Sequence, residues 1–207
     1  MYGRMTRLQT SPDAVDKGIA FFKENVAPKA LAAPGNAGAI LLVDRKTGTA
    51  IGITLWETTQ ALNANEQLGI SSRTSSAAAV GGTVIDVDRY EQVIVDRAQP
   101  PKTGTSVRLN VVAGVPDKID NMIKFMQTQV LPVLKAQKGY RATVVNVNRV
   151  TGRSTVSTVW DSIADLEASE AKVSALRRSA AEAAGASDVK VEILETAFSE
   201  IKQPTKV

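Results

Sequence analysis

The strongest constraint on this chain is that its sequence is written twice. Its two tryptophans, Trp56 and Trp160, occupy matching stretches, "TLWETTQALNANE" and "TVWDSIADLEASE". The same 104-residue offset pairs Pro12 with Pro116, Phe21 with Phe125, Pro28 with Pro132, Gly35 with Gly139 and Thr47-Gly48 with Thr151-Gly152. Between 4–93 and 108–197, 26 of 90 positions are identical, where unrelated sequences would share about 6. A period of this length suits a small domain, not a solenoid unit. The expected organisation is one repeat over 1–95, a Pro/Gly/Thr-rich linker over 96–105 ("DRAQPPKTGT") and a second repeat over 106–207.

Each repeat reads in the same element order. A strand comes first, then Pro12 or Pro116 at a helix start. Val15, Ile19, Phe22 and Val26 follow at helical spacing, as do Ile119, Ile123, Met126 and Val130. Pro28 and Pro132 are expected to kink or end these helices. A hairpin turns at Thr-Gly, with Gly free to take positive φ. Its second strand ends in Trp, and Thr58 or Ser162 caps an Ala-rich helix, Ser162 and Asp165 having capping-box spacing. A last strand closes the repeat. The order βαββαβ is the ferredoxin-like arrangement, an α+β fold.

Side-chain alternation divides each sheet into two faces. If the turn pairs 45 with 49 and 149 with 153, then Leu41, Val43, Ile51, Ile53 and Leu55 face the helices. Ile40, Leu42, Asp44, Gly52, Thr54 and Trp56 form a mixed face, with Val144, Asn146, Asn148, Val156, Thr158 and Trp160 as counterparts. Arg4, Thr6 and Leu8 join it in the first repeat, and Arg108, Asn110 and Val112 in the second. Ile85 and Val87 are expected under the helices. A mixed face holding Trp and Val needs cover, which a second sheet supplies. The expectation is therefore two repeats packed sheet-to-sheet as a pseudo-dimeric α/β barrel.

Composition limits the chemistry. The chain has no Cys and no His, which removes the thiolate, the commonest general base and the commonest metal ligand. Net charge is +4, with 25 basic and 21 acidic residues interspersed, so no nucleic-acid partner is expected. The N-terminal residues contain no secretory h-region and no apolar run approaches about 20 residues. A cytoplasmic protein with no membrane partner is expected.

The hairpin with its Thr-Gly turn, the strand ending in Trp-acid-hydroxyl and the helix with Leu and Ala resemble the dimeric α/β-barrel superfamily, in particular antibiotic-biosynthesis-monooxygenase-like domains, here in tandem. The resemblance implies a ligand between sheet and helices or reaching the barrel interior, and a cofactor-independent monooxygenase of a small aromatic or polyketide-like substrate. The alternative is a non-catalytic small-molecule-binding or interaction protein. Haem-degrading members combine a first-strand Asn, a third-strand Trp and a His. Asn110 and Trp160 match the first two types, but an axial haem ligand is missing. No cofactor and no metal are expected.

The candidate catalytic residues are Asn110 and Trp160, and the candidate substrate-binding residues are Arg108, Asn146, Tyr140, Thr158, Trp56 and Tyr90. Each also has a plain structural reading. The tryptophans either stack on a flat substrate or close the end of the core. The asparagines either orient a substrate carbonyl or pair within the barrel. Arg4 and Arg108 either attract an acidic ligand or bridge to carboxylates at the rim. Asn110 and Asn146 have no equivalents in the first repeat, so the second is the expected seat of activity. Val173 and Ala180 fall on Gly69 and Ser76 of the first repeat, where smaller groups give closer packing or more room. The chain is expected to be a self-contained pseudo-dimer or to form a homodimer, with a small-molecule ligand.

Overall fold

The computed structural model describes residues 1–100 and 102–202. Pro101, inside the expected linker, and residues 203–207 of the expected second repeat lie outside them. In the first repeat, β1 (Tyr2–Gln9) leads to α1 (Val15–Phe21), a π-helical turn (Phe22–Val26) and α2 (Ala27–Ala32). The hairpin β2 (Asn36–Asp44) and β3 (Thr49–Trp56) follows, then α3 (Thr59–Ala64), α4 (Glu66–Val80) and β4 (Thr83–Arg97). The second repeat copies this order with β5 (Ser106–Ala113), α5 (Ile119–Phe125), a π-helical turn (Met126–Val130), α6 (Leu131–Lys135), β6 (Tyr140–Val147), β7 (Arg153–Trp160), α7 (Ile163–Ala168), α8 (Glu170–Ala183) and β8 (Val189–Ile201). The strands form a closed barrel in the order β1-β3-β2-β8-β5-β7-β6-β4. The fold class is the expected α+β pseudo-dimeric barrel. No helix among the described residues is long and apolar enough to cross a membrane.

Two compact units divide the last strands between them. Among the described residues, one holds Met1–Arg89, Lys102–Gly104 and Glu195–Lys202, and the other holds Tyr90–Pro100 and Thr105–Leu194. In the first unit, β2 pairs on one side with β3 and on the other with the end of β8, Val43 opposite Glu195 and Leu41 opposite Phe198. In the second, β6 pairs with β7 and with the end of β4, Glu91 opposite Val147.

The hairpin register differs by one residue from the expected one. Asp44 pairs with Thr49 and Val43 with Ala50, while the Asn148 N–H bonds the Arg153 carbonyl at 2.8 Å. The cause is the turn. The Asp44 carboxylate accepts from Lys46 N (2.9 Å) and the Thr47 hydroxyl (2.7 Å), and Gly48 N reaches back to Asp44 O. Asn148 holds its own loop through Val150 N and Thr151 N. These side chains organise a four-residue loop, with Gly48 and Gly152 at φ 77° and 76°, where the sequence reading had placed three.

A one-residue slip exchanges the faces. Arg4, Thr6, Leu8, Gly52, Thr54 and Trp56 face the first unit's helices together with Leu41 and Val43, lining one cavity with Val15, Ile19, Phe22 and Val26. Ile51 and Leu55 are buried on the opposite face of the sheet. In the second unit Arg108, Asn110, Val112, Val156 and Thr158 lie beneath Met122 and Met126. Ile85 and Val87 are not covered as expected; they are 58% and 38% exposed.

The prolines do not end their helices. Pro28 and Pro132 stand in the first turns of α2 and α6, just after the π-helical turns, where Ala27 N bonds Phe22 O and Leu131 N bonds Met126 O. The widened turn absorbs the missing proline N–H and lets the helix continue. The expected caps are present, Ala61 N donating to the Thr58 hydroxyl and Asp165 N to the Ser162 hydroxyl, both at 3.1 Å.

Candidate functional site

A cavity of about 100 Å³ lies between sheet and helices in the first unit, and one of about 40 Å³ occupies the corresponding place in the second. Side-chain volume accounts for the difference. Gly18, Gly52, Gly69, Ser72 and Ala30 line the larger space, where the second repeat carries Met122, Val156, Val173, Leu176 and Leu134. The covering helices differ in step: no residue of α4 is fully buried, whereas α8 buries Val173, Ala180 and Ala181. The smaller groups at Gly69 and Ser76 thus go with room, not with closer packing.

The walls of the larger cavity are mostly apolar, and its polar groups gather at one end. Arg4 on β1 is 3% exposed. Its guanidinium donates to Leu62 O (2.8 Å) and Asn65 O (3.3 Å), capping the break between α3 and α4, and to the Glu66 carboxylate (2.7 Å). Arg73 reaches Glu66 at 3.0 Å and Arg89 reaches it at 2.6 Å. The Arg73–Glu66 pair lies seven residues apart and spans two helical turns directly, and Arg177 bonds Glu170 in the same way at 2.6 Å. Burial pushes the Glu66 carboxyl up, but the bonds and charges of Arg73, Arg4 and Arg89 outweigh it and hold the group below the usual Glu range. Burial lowers the Arg4 pKa, opposed by the Glu66 charge. Arg4 Nε and Arg73 Nη1 are buried with no hydrogen-bond partner. Among the described residues, no Asp, Glu, Lys or Tyr lines this cavity.

Of the sequence-derived candidates, Arg108, Asn110 and Thr158 come together around the smaller cavity. Arg108 is buried and donates to Leu166 O (2.7 Å) and the Ser169 hydroxyl (3.0 Å), with Glu170 3.0 Å away. Asn110 donates to Val156 O at 3.0 Å, and its Oδ1 is buried without a partner. Trp160 is fully buried off the cavity, its N–H on the Thr158 hydroxyl (3.0 Å) and its ring edge-on to Tyr140, with centroids 6.0 Å apart. The Tyr140 hydroxyl donates to Asp96 (3.0 Å) and sits 2.9 Å from the Thr143 hydroxyl. Burial raises its pKa. Asn146 lies on the opposite face from Asn110, bonded to the Thr155 hydroxyl at 3.1 Å. Tyr90 is buried on β4. Trp56 lines the larger cavity, with its N–H on Thr54 at 3.1 Å. Asn36 stands where the second repeat has Tyr140, so Trp56 lacks that aromatic neighbour.

The sequence reading missed the Arg4–Arg73–Arg89 cluster around Glu66. Its available signal was the run of small residues along one repeat opposite larger ones along the other.

No family profile matches the chain. Two uncharacterized Mycobacterium tuberculosis proteins, Rv2557 and Rv2558, are 28% and 29% identical to it over its full length, covering 92% and 88% of their own. Among solved structures, an anthrone oxidase-like protein superposes with a TM-score of 0.71 at 15% identity, covering 100% of this chain and 97% of its own. An uncharacterized Listeria monocytogenes ferredoxin-fold protein related to antibiotic biosynthesis monooxygenases gives 0.54 at 9% identity, covering 95% of each chain. A haem-degrading enzyme from the same species gives 0.54 at 10% identity, covering 93% of this chain and 98% of its own. The chain thus shares the fold of these proteins, with two ferredoxin-like repeats in one polypeptide.

Proposed function

We propose that the first repeat binds a small, largely apolar aromatic molecule in its cavity and promotes oxidation of that molecule by dioxygen without a cofactor. The observation that carries this reading is the hollow first repeat, with apolar walls and a guanidinium cluster at one end. Fold likeness to an anthrone oxidase-like protein supports the reaction class. In such a step an activated ring methylene loses two C–H bonds, one oxygen atom enters as a carbonyl and the other leaves as water. An electron-rich substrate reduces dioxygen itself, so the protein positions and desolvates it.

A second reading is binding without chemistry. It is favoured by a lining that, among the described residues, contains no carboxylate, Lys or Tyr to move a proton. In either reading, Asn110 and its unpaired Oδ1 suit the second repeat's smaller cavity to a water-sized polar guest. Oxygen uptake with anthrone decides between the readings. Uptake that Ser72→Leu abolishes supports the oxygenase, and retention of anthrone without uptake supports the binding protein. If the chain neither retains nor oxidises anthrone or any related aromatic, both fail.

A further inference from the structure

We infer that the ligand of the first repeat binds as a preformed monoanion, an apolar ring system carrying one oxyanion that faces Arg4 and Arg73. The inference deepens the proposed function and rests on its reading of the cavity as a small-molecule site.

Charge is the first argument. Three guanidiniums, from Arg4, Arg73 and Arg89, surround the single Glu66 carboxylate. In the second repeat only Arg108 and Arg177 meet Glu170, because Ile193 stands where the first repeat has Arg89. One more uncompensated positive charge therefore lies beside the hollow repeat than beside the filled one.

Unspent hydrogen-bond donors are the second. Arg4 Nε and Arg73 Nη1 have no partner, while neither Arg108 nor Arg177 has a buried nitrogen in that condition among the described residues. A buried donor without a partner is costly, more so on a charged group. Both orphans belong to residues lining the same cavity. An oxyanion there would accept charge-assisted bonds, the strong kind, once the two guanidiniums turn these enclosed N–H groups toward it.

Gly69 is the third. A Cβ at this position would come within 2.5 Å of Arg4 Nη1 and 2.9 Å of its Cζ. The missing side chain lets the Arg4 guanidinium lie against α4. Val173 fills the equivalent place in the second repeat.

The lining supplies the last step. With no base among the cavity residues, nothing there removes a proton from a bound neutral acid. The lining therefore suits a ligand that ionises in solvent, as a carboxylate, an acidic phenolate or an enolate, and that the arginines hold in that state.

The test is calorimetric titration of the full chain at pH 8 with 2-naphthoate and with its neutral analogue 2-naphthalenemethanol. Naphthoate is expected to bind about tenfold more tightly or better. Arg73→Gln is expected to erase that preference while leaving the alcohol's affinity in place, and Arg177→Gln to preserve it. Should Arg73→Gln not fold, the wild-type preference and the Arg177→Gln control still decide. Equal binding of the two probes would overturn the anion inference and leave the cavity reading standing. Loss of the preference in Arg177→Gln would overturn the assignment to the first repeat. Binding of neither probe would overturn the cavity reading itself.

Discussion

Replacing Ser72 with Leu should stabilise this protein and blind it to its ligand together. Ser72 lies half-buried on α4 against the cavity, and Leu176 is its counterpart in the filled repeat, packed on that repeat's core. Full burial of a leucine side chain contributes roughly 1.5–3 kcal/mol, and about half of that is expected at a half-buried position. Leucine also exceeds serine in helix propensity by a few tenths of a kcal/mol. The usual cost of overpacking is avoided because about 100 Å³ is already empty beside it. The net expectation is about 1 kcal/mol, or a midpoint rise of roughly 2–4 °C for a chain of this size. Urea melts followed by tryptophan fluorescence would show a higher midpoint at an unchanged slope. Titration with 2-naphthoate would show affinity reduced by at least about tenfold. A lower midpoint with unchanged binding would refute the reasoning, because the space beside Ser72 would then be neither empty nor the binding site.

Three further outcomes follow from the geometry. Glu66 and Glu170 are both held below the usual Glu range, Glu170 mainly by its bond from Arg177. Their contribution is complete above about pH 4.3, the ordinary Glu value, and is lost as pH falls through the lowered folded values; urea midpoints from pH 5 to pH 3 should therefore fall, and fall less steeply in Glu66→Gln, so that equal slopes would count against the cluster. Gly48→Ala should cost about 1–3 kcal/mol by urea melt, since φ is 77° and a Cβ would collide with Thr10 O. The fragment Met1–Ala98 lacks the stretch of β8 that pairs with β2, so it should not form a stable monomer by sedimentation, and a folded monomer would contradict the strand order.

The parts of the fold that were legible are those whose causes are local. The Pro at each helix start, the Thr58 and Ser162 caps and the Gly48 turn each announce themselves within a few residues. The register failed over one residue, because the Thr-Gly pair marks the turn but the Asp44 and Asn148 side chains set its length. An Asx residue four positions before the glycine was a readable sign of that longer loop. The face assignment then inverted for β1 and β3 and for β5 and β7, taking Arg4 and Trp56 from the expected inner face to the helix side, while Leu41 and Val43 stayed under the helices. Glu66 and Arg73 share one helix, but Arg4 comes from β1 and Arg89 from β4, and only tertiary folding brings them together. The cavity was the least legible feature, since a void is a sum of missing volumes on several elements and no single residue signals it.

The inequality of the two voids also sets how the molecule answers compression. Unfolding under hydrostatic pressure is driven by the elimination of internal empty space, and the first repeat holds about 100 Å³ of it against about 40 Å³ in the second. The first repeat should yield first as pressure rises, its α4 amides losing their signals before those of α8. A ligand that fills the space would remove the difference, making pressure a gauge of occupancy even for a molecule not yet identified.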